Sequence, residues 1–124
     1  MVVNLEFNPE RPIYLQIIDE IKKRIVRGDL KPGEKLPSQR ELAAIMSVNP
    51  NTVQRAYREL EDTKIAETLR GQGTFVSSTI SIKELQKDLA ERALGEFLTE
   101  MSELGLSHSE IKELLEKALE KGVE

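Results

Sequence analysis

From Pro12 to Arg27 the apolar residues Tyr14, Ile17, Ile18, Ile21, Ile25 and Val26 recur at spacings of three and four, set between Asp19, Lys22 and Lys23. That period predicts an amphipathic helix with one face to bury. Gly28 and the Pro32-Gly33 pair stop it, and Leu30 to Pro37 reads as a turn or short extended link. Ser38-Gln39-Arg40-Glu41 has the spacing of a capping box, in which the serine oxygen and the glutamate carboxylate each satisfy a backbone amide that the first helical turn leaves unpaired. It predicts a second helix whose apolar face is Leu42, Ala43, Ile45 and Met46. Ser47-Val48-Asn49-Pro50 is the next break, with asparagine suited to an N-cap and proline to a first helical position. A third helix is expected from Pro50 to about Asp62, and so short a connection between the second and third is that of a helix-turn-helix.

Beyond it, Ile65 to Leu69 and Thr74 to Ser77 are short and β-compatible. Between them Arg70-Gly71-Gln72-Gly73 carries two glycines that permit the positive φ angles of a tight hairpin, a wing on the helices. Ser77 to Ser81 is small, polar and β-branched, and reads as a junction. From Ile82 to Leu104 a longer helix carries Leu85, Leu89, Ala93, Leu94, Phe97, Leu98, Met101 and Leu104, with Gly105 at its end. A second capping box, Ser107 to Glu110, opens a last helix with Ile111, Leu114, Leu115, Ala118 and Leu119 on one side. The expected fold is mainly α with a small β-hairpin wing (α+β): a winged helix-turn-helix over 1–77, a junction at 78–81, and a helical hairpin over 82–124. The hairpin has more apolar surface than two helices hide between them, so it needs a partner.

The 124 residues suit one small domain plus an appendage and exclude a large multi-domain enzyme. Cysteine is absent, which removes disulfides, thiolate metal sites and cysteine nucleophiles together. The single histidine, His108, sits in a polar Ser107-His108-Ser109 stretch and cannot make a paired-histidine metal site. Gly71-Gln72-Gly73 is too short for a nucleotide-binding glycine loop. The expectation is therefore no enzyme, no cofactor and no metal. Met1 to Glu10 lacks a basic start followed by an apolar core, and no apolar run approaches the roughly 18 residues of a membrane span, so a cytoplasmic protein without membrane contact is expected. The net charge of -4 is unevenly spread: residues 1–79 hold 12 Lys and Arg against 11 Asp and Glu, residues 80–124 hold 6 against 11. The acid belongs to the tail, which leaves the first part free to present a local basic face.

At about 100° per residue, Asn51, Gln54, Arg55 and Arg58 fall on one side of the third helix and Val53, Ala56, Tyr57 and Leu60 on the other. Amides and guanidinium groups are the side chains that bond adenine and guanine edges, and no acid joins them before Glu59. Ser38 and Arg40, at the positive end of the second helix, suit a phosphate. The wing adds Arg70, Gly71, Gln72 and Gly73, whose small residues allow close approach. A merely solvated helix face is the competing reading of these positions. In the tail, Glu96, Glu100 and Glu103 at spacings of four and three read either as a carboxylate cluster or, more simply, as a solvated stripe.

The chain resembles the winged helix-turn-helix transcription regulators of the GntR type, and in its short two-helix tail their small YtrA-like subfamily. The resemblance rests on Pro12-Ile13-Tyr14, on the run from Gly28 to Ala43 that includes Leu36-Pro37-Ser38-Gln39-Arg40-Glu41-Leu42-Ala43, on Val48-Asn49-Pro50-Asn51-Thr52-Val53 and on Gly71-Gln72-Gly73-Thr74-Phe75-Val76. It implies a homodimer on a palindromic operator in double-stranded DNA, the third helix in the major groove and the wing at the minor groove. Arg40, Asn49, Asn51, Thr52, Gln54 and Gly71 match the family's contact positions, while Pro50 and Gln54 stand where some members carry base-reading arginines. Many members of the subfamily repress transport operons and their own genes, so a repressor is expected.

Leu85, Leu89, Leu94, Phe97, Leu98, Met101, Ile111, Leu114, Leu115 and Leu119 are the expected dimer interface. Two-fold pairing would set two recognition helices about one DNA turn apart. The tail is too short for an enclosed effector pocket within one subunit, so any small-molecule effector, of unknown identity, would bind between subunits. The other functional class left open is a protein-interaction module with this fold and no specific DNA binding.

Overall fold

The computed structural model describes residues 5–122; the first four residues of the Met1 to Glu10 reading and the last two of the 82–124 segment lie outside them. The element order is α1 (Ile13–Val26), α2 (Gln39–Met46), α3 (Pro50–Asp62), β1 (Ala66–Leu69), β2 (Gly73–Val76), α4 (Ile82–Glu103) and α5 (His108–Glu120). The chain divides into two compact units, Met1–Leu85 and Gln86–Glu124. The boundary between these units falls one turn inside α4, with the buried Leu85 on the first unit's side.

In the first unit α3 is the central element, packed against α1, α2 and β1. Its apolar stripe, Val53, Ala56, Tyr57 and Leu60, is buried with Ile17, Ile18, Ile21 and Ile25 of α1 and Leu42 and Ala43 of α2. The Tyr57 hydroxyl donates to the Pro37 carbonyl at 2.7 Å, tying α3 to the start of α2. Burial, with the Glu41 charge adding to it, pushes the Tyr57 phenol well above its ordinary range, so it stays neutral and keeps its proton to donate.

The buried face of α2 is narrower than its pattern suggests: Ile45 is 46% exposed. This helix has two turns, and Ile45 lies roughly 110° round from the middle of the Leu42–Ala43 stripe, at the rim of the contact. The helix ends with Ser47 in a left-handed conformation (φ +55°), and Asn49 caps α3 ahead of Pro50.

The wing pairs Leu69 with Gly73 and Ala66 with Val76 in an antiparallel register, so β2 starts and ends one residue before the stretch expected from sequence. The link before α2 is not a plain turn. Lys35 bridges Phe75, the Leu36 N–H donates to the Thr74 carbonyl at 2.8 Å, and the Val76 N–H donates to Glu34 at 2.8 Å. Those bonds cover the outer edge of β2.

In the second unit α4 ends at a turn in which Gly105 takes φ +82° and the Leu106 N–H donates to the Met101 carbonyl at 3.3 Å. A Ser107 capping box then starts α5. The two helices touch little beyond this turn. Ile111 is buried, whereas Leu94, Leu98, Leu104, Leu114, Leu115 and Leu119 are 40 to 70% exposed. Among the described residues no helix is long and apolar enough to cross a membrane.

Candidate nucleic-acid interface

The exposed side of α3 follows from the packing of its other side. Asn51, Gln54, Arg55 and Arg58 stand in solvent and Thr52 is half-buried. Arg40, in the first turn of α2, and Arg70, at the wing tip, are also exposed. Among the described residues none of these arginines pairs with a carboxylate, unlike Arg24, which holds Glu20 at 2.7 Å. Guanidinium groups that no carboxylate holds keep their N–H donors for another molecule.

Two expected contact residues also build the helix ends. The Asn49 side-chain oxygen accepts from the Asn51 N–H at 2.8 Å, and the Ser38 hydroxyl accepts from the Glu41 N–H at 3.1 Å. At Asn49 capping uses only acceptor capacity, so its amide N–H groups remain able to donate outward. Glu41 closes the box by accepting from the Ser38 N–H at 3.1 Å. That bond, and after it the one with the Ser38 hydroxyl, holds the Glu41 carboxyl below its ordinary value of 4.5. The acid beside Arg40 is thus committed to the backbone at neutral pH.

A groove of about 400 Å³ runs along α3, lined by Tyr14, Asn51, Gln54, Arg55, Arg58, Glu59 and Asp62. Its amide and guanidinium groups occupy the first part of the helix and its two acids the last, so phosphate or base edges suit the N-terminal end. At the wing, Gly71 (φ +77°) and Gly73 (φ +120°) both take the left-handed conformations expected of the hairpin. A Cβ on Gly73 would lie 2.8 Å from Lys35 Cε, so that position is closed to larger residues unless Lys35 shifts. Arg70, Gly71 and Gln72 form the exposed tip.

The structure thus assembles the predicted residues on one unit from three places: the start of α2, the exposed side of α3, and the wing. Two neighbours of these residues are not singled out as site residues by the sequence. Tyr14 of α1 lies under the Arg55 guanidinium, 3.9 Å from ring centroid to the central carbon, and Lys35 lies across the wing glycine. Both contacts join segments distant in sequence, and the local pattern carries no sign of either. Of the expected interface in the tail, Leu85 and Ile111 are already buried in one chain; Leu94, Leu98, Leu114, Leu115 and Leu119 are exposed, and Leu89, Phe97 and Met101 half-buried.

A helix-turn-helix whose second helix exposes amides and unpaired arginines, followed by a glycine-tipped hairpin, defines a winged-helix DNA-binding protein. Residues 13–76 match the family model described as bacterial regulatory proteins, gntR family. The chain belongs to the GntR family of transcription regulators. It is 48% identical over 118 residues to the uncharacterized HTH-type transcriptional regulator YhcF of Bacillus subtilis, covering 94% of this chain and 98% of that one. It is 51% identical over 76 residues to the HTH-type transcriptional repressor YtrA of the same organism, covering 61% and 58%. Among solved structures, a GntR family transcriptional regulator from Listeria monocytogenes superposes with a TM-score of 0.78 at 41% identity, over 90% of this chain and 98% of that one. The DNA-binding domain of AraR, solved in complex with operator ORR3, superposes with a TM-score of 0.52 at 31% identity, over 60% of this chain and 88% of that one.

Proposed function

We propose that the protein is a sequence-specific repressor that binds a palindromic operator as a homodimer, with α3 in the major groove and the wing at the flanking minor groove. The observation that carries the reading is the composition of the exposed side of α3 and the start of α2: amide side chains beside arginines that no carboxylate of the described chain neutralises. In this arrangement Gln54 and Asn51 read base edges, Arg40 and Ser38 hold phosphate, and Arg70 with the amides of Gly71 to Gly73 follows the groove edge. Arg58 extends the contact along α3. The operator-bound structure of AraR and the repressor function named for YtrA support the same use of the fold.

Dimerisation is the second half of the proposal. Leu94, Leu98, Leu114, Leu115 and Leu119 leave α4 and α5 with apolar surface that one chain does not cover. A second copy is the occupant that also doubles the DNA contacts. On this reading the protein works in the cytoplasm, on chromosomal DNA, and needs no cofactor.

Selection of bound duplexes from a random pool at two salt concentrations tests the reading directly. The expected result is a palindrome whose affinity falls steeply with salt, because each phosphate contact releases counterions. No enrichment at low salt would instead favour a protein-interaction module.

A further inference from the structure

The central carbon of the Arg55 guanidinium lies over the Tyr14 ring, 3.9 Å from its centroid, although Glu59 stands one helical turn further along α3. Stacking occupies the face of the guanidinium and leaves the N–H donors at its edge unspent. The half-buried Tyr14 ring also sits where two grooves meet, one with Gln54 and Arg58, the other with Ile13, Asn49 and Thr52. Around α3, Asn51, Gln54 and Arg58 fall within about 60° of one another, while Arg55 stands about 100° from Gln54, at the margin of that fan. Its partner on α1 holds it at that margin.

We propose that Tyr14 is a positioning residue for DNA binding: its ring fixes the Arg55 guanidinium at the flank of α3, where the free edge meets a backbone phosphate rather than a base. The inference rests on the reading that α3 enters the DNA groove. A long side chain held in one place before binding gives up less freedom when the complex forms, so the ring strengthens binding without touching DNA. Because phosphate contacts are the same in every duplex, the effect is independent of base sequence.

The test is a double-mutant cycle on the full chain, with affinities for a selected operator and for a random duplex. Tyr14→Leu weakens both by the same factor, about three- to tenfold, and Tyr14→Phe, which keeps the ring, stays within about twofold of the original. Arg55→Ala weakens both and lowers the slope of log affinity against log salt by about two, one for each subunit of the bound dimer. Adding Tyr14→Leu to Arg55→Ala costs nothing more. Urea unfolding of each variant runs alongside. A Tyr14→Leu loss that persists undiminished without Arg55 would mean a structural role or a contact of its own, and overturns the proposal. So does a Tyr14→Phe loss as large as that of Tyr14→Leu, which would assign the effect to the hydroxyl. A changed base preference at one operator position in Arg55→Ala overturns the phosphate assignment. Unchanged binding in Tyr14→Leu, while Arg40→Ala binds weakly, sinks this inference alone; an original protein that binds no duplex sinks the DNA reading and this with it.

Discussion

The first unit closes on itself and the second does not. Every helix of the first unit from α1 to α3 sends its apolar stripe into a common core, with Ile17, Leu42, Val53, Ala56 and Leu60 fully enclosed. The helices of the second carry comparable leucines, yet Leu94 is 50% and Leu119 66% exposed. Similar periodicity in sequence has led to two different outcomes, because α3 offers its neighbours a surface to close against and α4 and α5 offer each other little. What the first unit leaves outside is therefore polar and chemically selective. What the second leaves outside is apolar, the property of a surface that associates.

The sharpest way to break this contrast is to truncate one leucine in each unit. Leu60→Ala, in the enclosed core, is expected to lower the unfolding free energy by about 2–5 kcal/mol, whereas Leu119→Ala stays within about 0.5 kcal/mol for the isolated chain. Denaturant titration at low protein concentration checks it, and equal costs would remove the distinction. Next in size, Leu98→Asp combined with Leu115→Asp should leave the fold of the first unit intact but convert a dimer to a monomer in sedimentation. The same pair should weaken binding to a two-half-site duplex by at least about a hundredfold, because the second half-site then binds independently.

Within the first unit, Arg40→Ala is expected to weaken binding to all duplexes alike, by roughly tenfold. Gln54→Ala should chiefly relax preference at one base pair, at about 1–3 kcal/mol of lost discrimination. Competition titrations with operator variants separate the two, and matching profiles would contradict the division between phosphate and base contacts.

The smallest effect concerns the capping boxes. Glu41 and Glu110 both have carboxyls held below 4.5, the former by Ser38 and the latter by Ser107. A lowered folded value means that the unfolded chain takes up the proton first. The contribution is then complete above 4.5 and is lost as pH falls through the folded value. Glu41→Gln with Glu110→Gln keeps the box geometry and should flatten the part of the acid-stability curve below that pH. An unchanged curve would show that the caps carry no such linkage.

The elements legible in the sequence are those set by neighbours along the chain. Ser38 with Glu41, Ser107 with Glu110 and Asn49 with Pro50 each specify a helix start within four residues, and all three starts stand where expected. The two faces of α3 are likewise local, since burial of Val53, Ala56, Tyr57 and Leu60 leaves the others outside by helical period alone. The pairing of Lys35 and Leu36 with β2 was hidden because it depends on a strand roughly forty residues away. Ile45 obeys the period of a buried face but stands at its rim, where only the width of the neighbouring helix decides. The stack of Arg55 on Tyr14 joins α1 to α3 and is fixed by their packing rather than by either segment's pattern.

The most direct test of the account is hydroxyl-radical footprinting of the full chain on a duplex recovered by selection. The account predicts two symmetric sets of protected sugars, with centres about one helical turn apart, both lost together in the Leu98→Asp and Leu115→Asp protein at concentrations where the original saturates. A single protected patch that survives that double substitution would contradict it, since α3 would then bind DNA without any second copy.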